Sequence, residues 1–250
     1  PRCGGRCASW GLKALAESAP PDLFVIFGTA HHGLAEAFSV SDKDFETPLG
    51  RVEVDREFVS RLRSHWKTGR FSGSGLIHKT EHSIEFQVMF LHALYGEPAP
   101  FKIVPVLCDS LHEFMSSADD LENDYEIREF CEALRSEAES SGKRVCFVAG
   151  ADLAHMGRKF GDEFSIDDEV IERTRLHNLA ALEHAANLDR HSFFASVACD
   201  QDPYKICGLS PMYAMLRCMD ASEGRLLNYD FNLEASTDSM VSFCSMVFYK

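Results

Sequence analysis

The stretch Val145-Cys-Phe-Val-Ala-Gly-Ala-Asp152-Leu-Ala-His155 runs from an apolar segment directly into an acid and an imidazole. Residues 145–149 include β-branched and aromatic side chains and predict a strand buried on both faces. Gly150 frees the backbone where that strand ends. Ligands of open parallel α/β sheets bind outside the carboxyl ends of the strands, so Asp152 and His155 stand where chemistry is expected. The alternative is a capping Asp152 and a loop His155 without a ligand.

A second predicted strand, residues 23–28, delivers two adjacent histidines, His31 and His32, to a loop. Neighbouring side chains on an irregular loop can be aimed separately. One imidazole can then face a metal or a substrate while the other makes a supporting contact. A pair of surface histidines is the alternative, but the position directly after a buried strand favours a functional role.

A third group of polar residues begins a predicted helix, which extends from an N-cap at Thr80 to a C-terminal glycine at Gly96. On such a helix Glu81, His82 and Glu85 are three or four residues apart and converge near the first turn. Their order does not match the His-Glu-x-x-His motif of zinc metalloproteases. Solvated carboxylates that suit the helix dipole are the alternative explanation.

Cys207 is the cysteine whose setting favours reactivity or metal ligation. It lies in a loop rich in Gly, Ser and Pro just before a predicted helix, where backbone donors favour a thiolate. An inert loop cysteine is the alternative. A nucleophilic triad of Cys207, His155 and Asp152 is also conceivable from the residue types.

The candidates for one shared cleft are therefore His31, His32, Glu81, His82, Glu85, Asp152, His155 and Cys207. Imidazole, thiolate and carboxylate together suit iron, copper or zinc better than magnesium. The sequence contains no glycine-rich phosphate loop and no Gly-x-Gly-x-x-Gly, so it offers no support for a nucleotide cofactor.

The composition limits the class of protein and of partner. The chain has 250 residues, of which 45% are hydrophobic and 26% charged, as is ordinary for a globular protein. The formal net charge of -14 repels polyanions, so nucleic acid and anionic membrane surfaces are poor partners. Nine cysteines without a Cys-x-x-Cys pair indicate a reducing compartment. With no apolar run long enough to span a bilayer and no signal segment, we expect a cytoplasmic protein.

The framework that must position these residues alternates strands with helices. Further strands are predicted at 101–107, 226–233 and 240–249, and a hairpin at 46–54. Helices are predicted at 10–19, 56–67, 119–140, 166–187, 189–197 and 212–219. This order is typical of a layered α/β domain with one cleft. Repeats and linkers are absent, so we expect a single domain over residues 1–250.

Six short motifs give the chain a resemblance to the Memo family, whose bacterial members are called AmmeMemoRadiSam system protein B. They occur in the order expected of that family and span nearly the whole chain. The motifs are Gly28-Thr-Ala-His31-His32, Glu46-Thr-Pro-Leu-Gly50, Glu81-His82-Ser-Ile-Glu85, Val104-Pro-Val106, Ala151-Asp152-Leu-Ala-His155 and Ile206-Cys207-Gly208.

The resemblance implies a three-layer αβα sandwich similar to the LigB-type class III extradiol dioxygenases, in which a non-haem iron at a sheet edge binds a catechol and oxygen. It also implies that two histidines and a cysteine bind a redox metal, iron or copper. The ligands in this sequence would be His31 and Cys207. The family's other histidine lies in a Pro-His segment, which we expect immediately before Pro1.

The candidate catalytic residues are other polar members of the pocket, namely His82, Glu85, Asp152 and His155. Extradiol enzymes usually complete the iron site with a carboxylate, whereas Cys207 is the more obvious third group here, and thiolates are readily oxidised.

Three functions follow as hypotheses. The first is metal-dependent redox chemistry, such as oxygenation of a small aromatic substrate. The second is a non-catalytic scaffold that binds a peptide or handles a metal together with a radical-SAM partner protein, as the bacterial family name implies. The third is a cysteine hydrolase that uses Cys207.

Overall fold

The computed structural model describes residues 4–66 and 76–250, so the end of the helix predicted at 56–67 lies outside the described part. The helices are α1 (Gly5–Ala16), α2 (Arg56–His65), α3 (Leu76–Thr80), α4 (Glu85–Tyr95), α5 (Ala118–Asn123), α6 (Tyr125–Ser140), α7 (Asp168–Ala186), α8 (Arg190–Ala198) and α9 (Leu209–Cys218). The strands are β1 (Leu23–Thr29), β2 (Phe38–Val40), β3 (Phe45–Thr47), β4 (Gly50–Val52), β5 (Lys102–Cys108), β6 (Val145–Gly150), β7 (His155–Gly157), β8 (Glu223–Glu234) and β9 (Ser239–Tyr249).

Strand β1 is the inner strand on which the main sheet is built. Its apolar residues are fully buried, and it pairs in parallel with β5 on one side and β6 on the other. Strand β2 adds to β5 in the antiparallel direction, which gives the order β2-β5-β1-β6. Helix α9 contacts β1, β5 and β6. The predicted α/β class is confirmed, and the carboxyl ends of three parallel strands meet at one edge.

Strand β6 differs from its prediction as a strand buried on both faces. Residues 145–149 are half-buried because β6 is an edge strand with a neighbour on one side only. A continuous apolar run in the sequence does not show whether the strand lies at the edge or in the interior of the sheet. Among the described helices none is long and apolar enough to cross a bilayer, and the cysteines of the described residues are free thiols.

A second, antiparallel sheet of order β7-β9-β8 follows the main sheet in sequence. The two long strands, β8 and β9, lie where the sequence predicts them. Strand β7 is not predicted, since three residues are too few to show a period. It pairs His155 with Val241 and thereby fixes the chain just beyond the end of β6.

The hairpin β3–β4 confirms the predicted ribbon, and its turn is fixed by side chains. The Thr47 hydroxyl donates to the Gly50 carbonyl (3.1 Å) and lies 2.9 Å from Nδ1 of the fully buried His92. His92 Nε2 lies 2.5 Å from a carboxylate oxygen of Glu97. The motif from Glu46 to Gly50 therefore attaches the hairpin to α4.

The largest difference from the predicted elements is in the helix expected from Thr80 to Gly96. A separate short helix, α3, ends at Thr80, residues 81–84 are not helical, and α4 begins only at Glu85. The Ser83 hydroxyl donates to the Thr29 carbonyl (2.9 Å) at the end of β1, and Ile84 is buried. These tertiary contacts override a local preference for helix. The C-terminal glycine, Gly96, is confirmed with φ of 86°.

Two glycines on adjacent strands give residues 81–84 their place across the sheet edge. Gly28 and Gly150 are partners in the β1–β6 register. A Cβ on Gly28 would lie 2.4 Å from Ser83 Oγ and 2.7 Å from a side-chain carbon of Ile84, and one on Gly150 would lie 2.5 Å from the Ser83 carbonyl oxygen. Real Cβ atoms are not found so close, so both positions require glycine.

His78 is an ionisable residue within the core beside this segment. Its side chain is buried, Nε2 lies 3.3 Å from the Ser39 hydroxyl, and Nδ1 has no hydrogen-bond partner among the described residues. Burial lowers the pKa of His78 to about 4, although Ser39 and the charge of Glu81 act in the opposite direction. The imidazole is therefore neutral at pH 7.

Gly28→Ala is expected to destabilise the fold by about 1–3 kcal/mol, because Ser83 and Ile84 must move to admit the methyl group. Urea denaturation measures the change. Gly5→Ala is the matched control, since a Cβ at Gly5 meets nothing within 4 Å. Equal stability of the two variants would contradict the close packing.

His78 should make stability depend on pH between about 6.5 and 4. The folded pKa lies below the unfolded value of 6.5, so the unfolded chain binds more protons in this window and stability is lost as the pH falls. The loss approaches about 3 kcal/mol. Denaturation of His78→Gln across this range should show a shallower slope than wild type, and the exposed-site variant His112→Gln should keep the wild-type slope. A wild-type slope in His78→Gln would refute the assignment.

Candidate functional site

A histidine and a buried glutamate form the centre of the site. His31 lies just beyond β1, and its Nδ1 is 2.8 Å from Oε2 of Glu81. The other carboxylate oxygen, Oε1, accepts a hydrogen bond from the His32 backbone amide (3.3 Å). The Glu81 side chain is 2% exposed and that of His31 36% exposed. The pair thus extends from the interior of the protein to its surface.

His82 completes a group of three donor residues. Its ring stacks on that of His31 with centroids 4.8 Å apart and planes 12° from parallel, and it meets Phe86 edge-on at 5.8 Å. One donor atom each from His31, Glu81 and His82 lie within 4.8 Å of one another. Within residues 4–66 and 76–250 this is the only such group of His, Cys, Asp and Glu. The group could hold a metal ion.

The electrostatics of Glu81 keep it ionised. Burial by itself raises the pKa of the carboxyl, but the hydrogen bond and charge of His31 and the backbone amides of His31 and His32 outweigh it. The net pKa is below its usual value. Glu81 therefore accepts hydrogen bonds and donates none.

Cys207 lies at the same edge of the sheet but differs from its prediction as a thiolate. Burial raises the pKa of Cys207 to about 12, and the negative charge of Asp152 adds to the increase. Hydrogen bonds with Asp152 and Thr29 lower the pKa but only partly offset the increase. The thiol is protonated at neutral pH and is a weak nucleophile. As a metal ligand it would have to release its proton.

Backbone contacts bring Cys207 and Asp152 together. The Thr29 hydroxyl donates to the Cys207 carbonyl (3.0 Å), and the Gly208 amide donates to the Asp152 carbonyl (3.1 Å). A Cβ on Gly208 would lie 2.3 Å from that carbonyl oxygen, so only glycine permits the approach. The Asp152 side chain is exposed.

His155 has a defined tautomer. Its Nδ1 lies 2.9 Å from the Leu153 carbonyl oxygen and 3.2 Å from that of Lys205, and carbonyl oxygens only accept. The proton is therefore on Nδ1, and Nε2 is left as an acceptor. The ring packs edge-on against Phe160 (4.9 Å) and is half-buried.

The sequence-predicted residues fall into two clusters and one separate position. His31 and His82 belong to the donor group, and Asp152 lies against the Cys207 turn. Glu85 is the exposed first residue of α4, outside the donor group, because residues 81–84 are not helical.

Glu81, which the sequence placed in the cleft without a specific role, has the most central position. The adjacent acid and imidazole of Glu81-His82 are the sequence feature that could have identified it.

Comparison with known proteins extends these observations. Residues 1–247 match the family model described as Memo-like protein. A MEMO1 family protein of Aquifex aeolicus is 33% identical over 233 residues, which cover 91% of this chain and 56% of the relative. The chain thus spans little more than half the length of that relative.

Two further relatives are covered more completely. A MEMO1 family protein of Methanopyrus kandleri is 32% identical over 250 residues, which cover 98% of this chain and 78% of the relative. One from Pyrococcus abyssi is 29% identical over 252 residues, with 97% and 81% covered. The match over nearly the whole length confirms the resemblance seen in the motifs. The chain belongs to the Memo-like protein family.

Proposed function

We propose that the protein binds a redox metal, iron or copper, at the carboxyl edge of the main sheet and performs dioxygenase-type chemistry there. The observation that carries the proposal is the convergence of His31 and His82 beside the buried Glu81. The parallel strand ends that carry this group are the usual location of ligands in α/β sheets.

The donor chemistry fits the metals named. The imidazoles of His31 and His82 are donors that suit iron and copper, and the buried Glu81 carboxylate lies beside them. The Cys207 thiol, at the same edge, would favour copper or iron over magnesium once deprotonated. His31 and His82 are the residues we propose to hold the metal, and Cys207 is the candidate further ligand.

The bound metal would supply one-electron chemistry and a position for oxygen and a small aromatic substrate. The chain supplies groups that handle protons. His155 carries its proton on Nδ1, which two carbonyl groups hold, so Nε2 can accept a proton from a substrate hydroxyl. The exposed carboxylates of Asp152 and Glu85 are the further candidate acid–base groups.

The fold proposal accompanies the functional one. We propose one Memo-like domain over the whole chain with the three-layer αβα arrangement of LigB-type extradiol dioxygenases. The main sheet, with its parallel β1, β5 and β6 and with α9 against all three, supports this arrangement.

A second candidate function is a non-catalytic scaffold that handles a metal or binds a peptide with a radical-SAM partner protein. The open surface of the site favours it. His32, His82 and Asp152 are exposed, so a macromolecule can reach these side chains as readily as a small substrate can.

Metal analysis tests the proposal. After anaerobic purification and loading with Fe(II) or Cu(II), the wild type should retain stoichiometric metal. His31→Ala and His82→Ala should lose most of it, since each removes an imidazole from the donor group. The neighbouring His32→Ala is the matched control and should retain it, because only the His32 backbone contacts Glu81.

Oxygen electrode measurements with catechols then separate the two functions. Oxygen uptake by the loaded wild type that His31→Ala lacks supports the oxygenase. Retained metal without uptake, together with co-purification of a radical-SAM protein, supports the scaffold. Equal metal in wild type and His31→Ala would refute the site.

A further inference from the structure

We infer that Glu81 is a positioning residue that holds His31 with its Nε2 directed at the metal, rather than a metal ligand itself. The inference rests on the proposed function, because it assumes that His31 binds a metal. It assigns different roles to the members of the donor group.

The hydrogen bonds of Glu81 determine the tautomer of His31. Oε2 lies 2.8 Å from Nδ1, and an ionised carboxylate only accepts, so Nδ1 carries the proton. In a neutral imidazole the lone pair is then on Nε2, the form in which histidine binds metals. Direct ligation by Glu81 would weaken or break this bond.

The second carboxylate oxygen of Glu81 also accepts a hydrogen bond. Oε1 accepts from the His32 backbone amide, so one side chain fixes both the ring of His31 and the backbone that follows it. The carboxylate is 2% exposed, whereas His31 is 36% exposed. The edge of the ring opposite Glu81, which carries Nε2, therefore faces the open side of the site.

Three further contacts restrict the His31 ring and its loop. The ring stacks on His82 with planes 12° from parallel. The loop is held by the Ala30 amide, which donates to the Cys108 carbonyl (3.0 Å), and by the Gly33 amide, which donates to Ala30 (3.2 Å). With the loop held at both sides of His31, the hydrogen bond to the Glu81 carboxylate and the stacked His82 ring together set the rotation of the imidazole.

Carboxylates that accept from the distal nitrogen of a metal-bound histidine raise the basicity of the ligand, and their loss typically weakens metal affinity by about 10–100-fold. A direct ligand behaves differently, because its loss removes one donor from the metal. Glu81→Gln separates the two roles, since an amide oxygen can still accept the hydrogen bond but is a poor metal ligand.

The experiment is titration of Cu(II) against a competing chelator, with pulsed electron paramagnetic resonance of the bound copper. We expect Glu81→Gln to bind copper about 10–100-fold more weakly with the same equatorial donor number. The quadrupole coupling of the remote imidazole nitrogen should shift, because Nδ1 exchanges a charged acceptor for a neutral one.

Glu126→Gln is the matched control. Glu126 is a half-buried carboxylate whose oxygen accepts from the Ala37 amide (3.1 Å) at the far end of the same loop, and within residues 4–66 and 76–250 it has no imidazole as a hydrogen-bond partner. This variant should leave both copper affinity and the remote-nitrogen signal unchanged. Circular dichroism verifies that each variant is folded.

The outcomes separate this inference from the proposed function. Wild type and His31→Ala binding copper alike would refute both. Loss of copper in His31→Ala with wild-type affinity and signal in Glu81→Gln would refute the positioning role alone. So would complete loss of copper in Glu81→Gln, which would make Glu81 a ligand, or an equal effect of Glu126→Gln, which would make the effect one of loop stability.

Discussion

The close passage of residues 81–84 over the ends of β1 and β6 is the constraint on which the site depends. Gly28 and Gly150 have no side chains, so the backbone at Ser83 can lie directly on the sheet edge, and the Ser83 hydroxyl ties it to Thr29. This passage separates α3 from α4. It places the Glu81 carboxylate against Nδ1 of His31 and stacks the His82 ring on the His31 ring. The donor group is thus a product of strand packing rather than of a helical face.

Burial and neighbouring charges determine whether Glu81 and Cys207 are ionised. Glu81 is ionised although it is buried, because imidazole and backbone donors surround it. Cys207 is a thiol because burial and Asp152 oppose its ionisation. A cation at this edge would meet a carboxylate that is already charged and a thiol that must first lose its proton to bind it. The net charge of -14 adds a general attraction for cations.

Much of the framework is predictable from local sequence. The apolar runs give β1 and β5, and the helix predicted at 56–67 is present as α2, which Asp55 caps by accepting a hydrogen bond from the Phe58 amide. The break at residues 81–84 is not predictable, because local preference favours a helix. The contacts that interrupt it come from Thr29, which lies 54 residues from Ser83.

The candidate site was likewise only partly predictable from the local sequence. Residue types identified His31, which follows a predicted strand, and His82, which lies beside carboxylates at the start of a predicted helix. The role of Glu81 depends on which side of His31 is buried, and the protonation of Cys207 depends on the turn packed against Asp152. Both are consequences of long-range packing, which residue spacing does not encode.

The most direct measurement is anomalous diffraction at the metal edge from crystals of the copper- or iron-loaded protein. We predict an anomalous peak about 2 Å from His31 Nε2, with Glu81 still hydrogen-bonded to Nδ1. A peak remote from His31, or one bound to Glu81 with Nδ1 released, would contradict it.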